Sequence, residues 1–144
     1  MRFFLIVIFA LNFTHNQDGV NHWGTLSMVT INKTIDPEFG LETYETSFNP
    51  LVTALDGKEI ELDGYIIPIT GQVEQNHFMF SKFPQNMCFF CGKAGPESAM
   101  QVFLKGSDTV AFTTDKIKLK GTLKIFQDNS SGLIYALESA ELID

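Results

Sequence analysis

The chain has 144 residues, a formal net charge of −7, 14 phenylalanines and two cysteines, and this length suits one domain with a modest hydrophobic core. Arg2 is the single arginine. Because nucleic-acid binding depends on clustered Lys and Arg side chains that neutralise phosphates, we do not expect this acidic chain to bind nucleic acid.

Residues 1–17 predict an export signal. Arg2 supplies a positive charge, and an unbroken apolar run extends from Phe3 to Leu11. Such a run is too short to span a bilayer as a helix and is typical of a signal-peptide core. The alternative is a buried N-terminal helix or strand. We expect cleavage between Phe13 and Gln17, giving an exported protein of the periplasm or extracellular space with net charge −8 and no membrane span.

Residues 18–57 predict an irregular N-terminal extension that contains a short helix. Val20–Ile35 is rich in β-branched residues, which indicates an extended segment, whereas Asp36–Ser47 is polar and acidic, which indicates a loop. Asn49-Pro50 is typical of a helix N-cap followed by proline at the first helical position. The short helix predicted there runs from Leu51 to Leu55 and stops at Asp56-Gly57.

Residues 58–144 predict the main domain, which begins with a long strand in K-E-I-E-L-D-G-Y-I-I-P-I. Ile60 and Leu62 stand at even positions, but after Gly64 the apolar residues shift to odd ones. This change of phase predicts a bulge at Asp63-Gly64 that turns the later side chains to the other face and bends the strand. A bent first strand would let a small barrel share one strand between its two sheets.

Four further segments predict strands: His77–Phe83, Ser98–Leu104, Lys116–Phe126 and Leu133–Ile143. Lys116–Phe126 shows the clearest alternation, with lysines on the face opposite its isoleucines and leucines. Lys105–Asp115 leaves room for a turn or a short extra strand, and Gln127–Gly132 predicts a turn. We therefore predict an all-β fold, a small five-stranded antiparallel OB-like barrel behind an irregular N-terminal extension.

Both cysteines lie in M-C-F-F-C-G-K-A-G-P-E-S, which connects the second and third predicted strands of the barrel. Two thiolates three residues apart can chelate one Zn²⁺ ion, and a closed zinc site needs two further ligands. His77 begins the strand that leads into this loop, and Glu97 follows the cysteines. The metal hypothesis therefore takes Cys88, Cys91, His77 and Glu97 as its ligands, with His22 as a further candidate.

Two other hypotheses fit the same pair. Cys-x-x-Cys can exchange thiols and disulfides, although no amphipathic helix follows Cys91 to lower a thiol pKa. An oxidising compartment would instead favour a structural disulfide that tightens the loop, in which case Phe89 or Phe90 could dock a partner. We find no Ser-His-Asp set, phosphate loop or nucleotide fingerprint in the sequence, so we predict a protein that is not an enzyme.

Several of these segments together resemble a domain-of-unknown-function family of bacterial periplasmic proteins. They are L-D-G-K-E-I-E-L-D-G-Y-I-I-P-I, H-F-M-F-S-K-F, C-F-F-C-G-K-A-G-P-E-S-A-M-Q-V and K-L-K-G-T-L. The resemblance covers about Asn49 to Leu142, and Cys-Phe-Phe-Cys-Gly is similar to the branch common in Bacteroidetes-type bacteria. Many members carry Cys-x-His and a proline run where this chain has Cys91 and Pro96, so their ligand set does not transfer directly.

The resemblance also implies a functional context. Members of this family are often encoded beside components of ABC-type transporters, some of them linked to zinc uptake. The implied role is that of a metal-handling accessory protein whose partner is an ABC-type transporter or another envelope protein.

Overall fold

A computed structural model describes residues 20–127 and 132–143. The predicted signal peptide, residues 1–17, and most of the predicted turn Gln127–Gly132 lie outside these ranges. In the two described ranges, no helix is long and apolar enough to cross a bilayer.

The described residues form two one-turn α-helices, nine strands and three short 3₁₀ turns, which lie at Gln85–Met87, Phe89–Cys91 and Pro96–Ser98. In chain order the α-helices and strands are α1 (Trp23–Leu26), β1 (Val29–Ile35), β2 (Glu42–Phe48), α2 (Pro50–Thr53), β3 (Glu59–Ile67), β4 (Glu74–Gln75), β5 (His77–Ser81), β6 (Ala99–Leu104), β7 (Val110–Ala111), β8 (Ile117–Ile125) and β9 (Tyr135–Ile143). Strands β3, β5, β6, β9 and β8 close, in that order, into a barrel. The prediction of a small five-stranded β-barrel is confirmed, and β4 and β7 pair as a separate short ribbon.

The barrel sheet is mixed, so the prediction of a purely antiparallel sheet is wrong. β6 and β9 run parallel, whereas the other four neighbouring pairs of the ring are antiparallel. The reason is geometric, because strand direction cannot alternate all the way round a closed ring with an odd number of members. One parallel pair is therefore unavoidable, and it falls between the third and fifth barrel strands.

The predicted bulge in β3 is also wrong. Ile60, Leu62, Gly64 and Ile66 are all buried, so the alternation continues through the glycine without a change of phase. What changes at Gly64 is the strand that pairs with β3. β3 pairs with β8 over Glu59–Gly64 and with β5 over Tyr65–Ile67. Gly64 belongs to the interior face, where the lack of a side chain hides the pattern from sequence inspection.

The N-terminal part holds more regular structure than predicted. β1 and β2 form an antiparallel hairpin from Val29↔Phe48 to Ile35↔Glu42, so the prediction of a loop over Asp36–Ser47 is wrong for the second half of that segment. Most β2 side chains are exposed, and a strand held by hairpin pairing outside the core needs no apolar alternation. The predicted short helix is present as α2, and the Asn49 side chain accepts a hydrogen bond from the Leu51 N–H at 2.9 Å.

One hydrophobic core joins the N-terminal part to the barrel. Trp23 of α1 is only 2% exposed, and its ring stacks on Phe80 of β5 with centroids 6.2 Å apart. Its Nε1–H donates to the Asp63 carbonyl at 2.9 Å. Within the same core, the Tyr135 hydroxyl donates to the Leu26 carbonyl at 2.8 Å.

Candidate metal-binding site

The cysteine loop leaves and re-enters the barrel at the same place. β5 ends at Ser81 and β6 begins at Ala99, and these two residues are paired neighbours. The loop is anchored where it starts, because Lys82 N–H donates to the Ser98 carbonyl at 2.9 Å and Phe83 N–H donates to Ser81 Oγ at 3.1 Å. The loop therefore holds its side chains over one end of the barrel.

Tight turns within this loop bring the two thiols together. Phe89–Cys91 forms a 3₁₀ turn, in which Cys91 N–H donates to the Cys88 carbonyl at 3.2 Å. Gly92 follows with φ +70°, a left-handed conformation suited to glycine, and reverses the chain. The two Sγ atoms lie 3.9 Å apart, with Cys88 buried and Cys91 exposed.

Both cysteines are free thiols in this arrangement. Bonded sulfurs would lie about 2.05 Å apart. The Gln85 carbonyl oxygen lies 3.2 Å from Cys88 Sγ and 2.7 Å from Cys91 Sγ, within reach of either S–H group. Partial desolvation raises the pKa of Cys91, the hydrogen bond and charge of Cys88 raise it further, and Lys93 opposes them. At neutral pH the exposed thiol is therefore protonated and a weak nucleophile.

The structure places His77 away from this pair. His77 begins β5, whereas the cysteine loop leaves from the far end of that strand at Ser81. Its Nε2 lies 3.1 Å from Gln101 Oε1 on β6, and its ring stacks on Phe103 with centroids 4.2 Å apart. His77 thus belongs to an outer face of the β5–β6 pair.

Glu97 lies on the return path of the loop, in the turn Pro96–Ser98. Its carboxylate folds back over Gly95, where it occupies the space that a side chain at that position would need. Its charge acts on Tyr135, whose pKa is raised mainly by burial and further by Glu97. Across the described residues, no three His, Cys, Asp or Glu side chains come together as a possible metal site. The structure therefore brings together Cys88 and Cys91, without a third ligand from His77 or Glu97.

Two further features lie next to Cys88 and Cys91. The Gln85 carbonyl is a backbone group, so no residue type in the sequence signals its role. Beside the loop, a largely apolar cleft of about 180 Å³ is lined by Phe89 and Pro96 of the loop, Ile31 and Tyr44 of the hairpin, and Gly132. This cleft was not foreseen because it depends on the hairpin, half of which was predicted to be a loop.

His22 and the lysines in and next to β8 also have structural partners. His22 Nδ1 lies 3.1 Å from the Glu61 carbonyl, at the edge of β3. In the lysine-rich strand β8, Lys120 pairs with Glu59 at 2.9 Å, and Lys116, just before the strand, pairs with Asp63 at 3.5 Å. These ion pairs partly neutralise the lysine face of β8.

The chain matches no known family model, no curated protein and no solved structure. Its function is therefore inferred from the geometry of its own residues.

Proposed function

We propose that this chain is an exported, non-enzymatic β-barrel protein that binds a soft divalent metal ion, Zn²⁺ in the first place, through the thiolates of Cys88 and Cys91. The observation that supports this proposal best is the Sγ···Sγ separation of 3.9 Å. Two sulfurs bound to one tetrahedral Zn²⁺ ion at about 2.3 Å each lie about 3.8 Å apart. The turn thus holds the thiols at a spacing suited to two ligands of one ion.

The pair supplies half of a tetrahedral site. The described part of the chain offers no third ligand from a His, Cys, Asp or Glu side chain, so water or a partner protein would fill the remaining positions. Protein sites that keep open positions exchange ligands, whereas closed four-ligand sites are structural. An open dithiolate fits a protein that accepts a metal ion and passes it on, and the family resemblance suggests an ABC-type transporter or another envelope protein as the recipient.

Metal binding would be coupled to proton release. Both thiols have to lose their protons and their contacts with the Gln85 carbonyl before they coordinate an ion. Because the pKa of Cys91 is raised, protons compete with the metal across the neutral range. We therefore expect the affinity to rise with pH, by up to about 100-fold per pH unit where two protons are released.

Cobalt titration of the reduced protein tests the proposal, because Co²⁺ bound to thiolates gives strong near-ultraviolet charge-transfer absorption. We expect this absorption in the wild type, with a midpoint that moves to lower Co²⁺ concentration as pH rises, and subsequent displacement by Zn²⁺. Cys88→Ser and Cys91→Ser should each lose it. Asn86→Ala, a change in the same loop that keeps both thiols, should retain it. A fully reduced wild type without the absorption would exclude the site.

Thiol–disulfide exchange is the second candidate, because the thiols are free, adjacent and exposed on the Cys91 side. Oxidation by a disulfide partner would join the two sulfurs, and the two electrons and two protons would pass to the partner's sulfurs. The raised pKa of Cys91 disfavours this role at neutral pH. A redox titration separates exchange from a structural bridge, since a potential below about −300 mV marks a structural disulfide.

A further inference from the structure

The β1–β2 hairpin has two chemically different faces. Residues paired directly across the hairpin share a face. One face therefore carries only polar side chains, namely Thr30, Asn32, Thr34, Thr43, Glu45 and Ser47. The other face carries Val29, Ile31 and Phe48, which pack against the barrel core, and continues outward to Tyr44, Ile35 and the ion pair of Lys33 with Glu42.

The outer half of this second face is uncovered. Ile35 is 69% exposed, and at the tip Phe39 and Leu41 are 69% and 65% exposed. The tip is preorganised, because Asp36 Oδ1 accepts hydrogen bonds from the N–H groups of Glu38 and Phe39 at 2.8 and 3.0 Å. This overhang exposes large apolar side chains beside one ion pair, which suits it to contact with another protein surface.

The free edge of β1 has a definite hydrogen-bonding pattern. Asp36 N–H donates to the Leu41 carbonyl, and Asn49 N–H donates to the Met28 carbonyl, at the two ends of the hairpin. Hydrogen-bonded and non-hydrogen-bonded pairs alternate along an antiparallel ladder. The even-numbered residues of β1 therefore bond to β2, and Val29, Ile31, Lys33 and Ile35 direct their N–H and C=O groups to the other edge. No described strand pairs with that edge.

This edge is complementary to itself. When two β1 strands run antiparallel about a twofold axis through Asn32, Val29 faces Ile35 and Ile31 faces Lys33 of the other copy. The N–H and C=O groups of these four residues then pair with those of the same four residues in the other copy, as the antiparallel hydrogen-bonding pattern requires. Lys33 is the one charged residue of this edge. In the twofold arrangement it faces Ile31 of the other copy, so the two Lys33 side chains do not face each other.

The β2 edge is much less suitable. The equivalent pairing would be centred on Glu45 and would set two like charges directly opposite each other, which destabilises a sheet. Sequence and register therefore favour β1 over β2 as the edge for association.

We propose that two copies of this chain associate through the free edges of their β1 strands, forming a four-stranded antiparallel sheet with the order β2-β1-β1-β2. The barrels of both copies then lie on the same side of this sheet. Each barrel packs at the Val29 end of its own hairpin, and the two Val29 residues are six positions apart along the paired strands, which is about 20 Å at 3.3 Å per residue. The overhang of each hairpin extends toward the barrel of the other copy, so that association covers Ile35 and the tip. This inference does not depend on the metal site.

Cysteine cross-linking tests the register. In the proposed pairing the two Asn32 residues form a non-hydrogen-bonded pair with Cα atoms about 4.5 Å apart, within the range for a disulfide. Asn32→Cys should therefore give a covalent dimer under mild oxidation, with the disulfide between the two introduced thiols identified by peptide mass spectrometry. Glu45→Cys is the matched control, because it would cross-link only if β2 were the paired edge.

Sedimentation velocity tests the association itself. The wild type should change from monomer to dimer as its concentration rises. Lys33→Pro removes an outward N–H group while keeping the bonds of β1 to β2, so it should remain monomeric. Lys33→Ala loses the same ion pair with Glu42 but keeps the N–H group, and should still dimerise. A wild type that stays monomeric at all concentrations, or a dimer that cross-links through Glu45→Cys, would overturn the proposal.

Discussion

Gly64 is the residue at which β3 exchanges one barrel neighbour for the other. A Cβ atom at this position would clash with the Ser81 carbonyl oxygen and would lie 3.0 Å from Cζ of the buried Phe80 ring. The glycine therefore permits β3 and β5 to approach closely where their pairing begins. It acts through the absence of side-chain volume, since its φ is not left-handed.

Gly64→Ala should destabilise the protein by about 1–3 kcal/mol, the usual cost of overpacking a core. The measurement is urea unfolding followed by far-ultraviolet circular dichroism. Gly24→Ala is the matched control. It places a methyl group in open space within α1, where alanine is favoured over glycine by up to about 1 kcal/mol. If both variants unfold at the wild-type urea midpoint, the close approach of β3 and β5 at Gly64 does not contribute to stability.

At the scale of single elements, α2 connects the hairpin to the barrel. The helix has a single turn, so its intrinsic stability is negligible and it depends on tertiary contacts. Val52 supplies the buried contact, and the Asn49 side chain supplies the cap. The Asn49 N–H also donates to the Met28 carbonyl at 3.1 Å, which ties the end of β2 to the start of β1.

Asn49→Ala should lower the free energy of unfolding by about 1 kcal/mol through loss of the N-cap hydrogen bond. Asn49→Asp keeps an acceptor at that position and should restore most of the loss. Chemical denaturation of the three proteins compares them directly. A loss of similar size in Asn49→Asp would show that the cap hydrogen bond is not the cause.

Elements differed in how well the sequence predicted them, and the reason is where each element buries its side chains. β8 was clear because one face is buried and the other carries lysines, so its pattern follows its environment. β2 was missed because it is held by pairing with β1 outside the barrel, where polar residues suffice. The asparagine cap made α2 predictable despite its length, since capping is a local interaction.

At the scale of the whole molecule, the five barrel strands and their closure into a barrel were predictable, but the parallel pairing of two of them was not. The parallel contact of β6 with β9 joins segments far apart in the chain, and no local pattern encodes it. Local sequence was more informative about the candidate site. The spacing of Cys88 and Cys91 predicted that the thiols would meet, because one tight turn brings them together. The separation of His77 from the thiols also follows from the sequence, because His77 begins β5 and the loop leaves from the far end of that strand.

The hydrogen bond from Tyr135 to the Leu26 carbonyl joins the last barrel strand to the first helix. Tyr135→Phe should lower stability at neutral pH by about 1–3 kcal/mol, because it leaves a buried carbonyl without a partner. Burial raises the pKa of Tyr135 in the folded state above its ordinary value near 10. The wild type therefore keeps this contribution below pH 10 and loses it as pH rises further, because the unfolded state releases the proton more readily.

Unfolding curves measured between neutral pH and pH 11 check this prediction. The difference in stability between wild type and Tyr135→Phe should be largest at neutral pH and should shrink in alkaline solution. Tyr44→Phe, at an exposed position on the hairpin, is the matched control and should follow the wild type throughout. A difference that stays constant with pH would mean that the Tyr135 hydroxyl does not titrate with folding.

Trp23 sits over the stretch of β3 that β5 leaves unpaired, and it is the single tryptophan of the chain. Its indole is shielded from water, bonded to Asp63 and stacked on Phe80. The protein therefore carries a built-in optical reporter of barrel integrity. Any event that loosens the N-terminal segment from β3 should shift the emission of this one fluorophore to longer wavelength, without an added label.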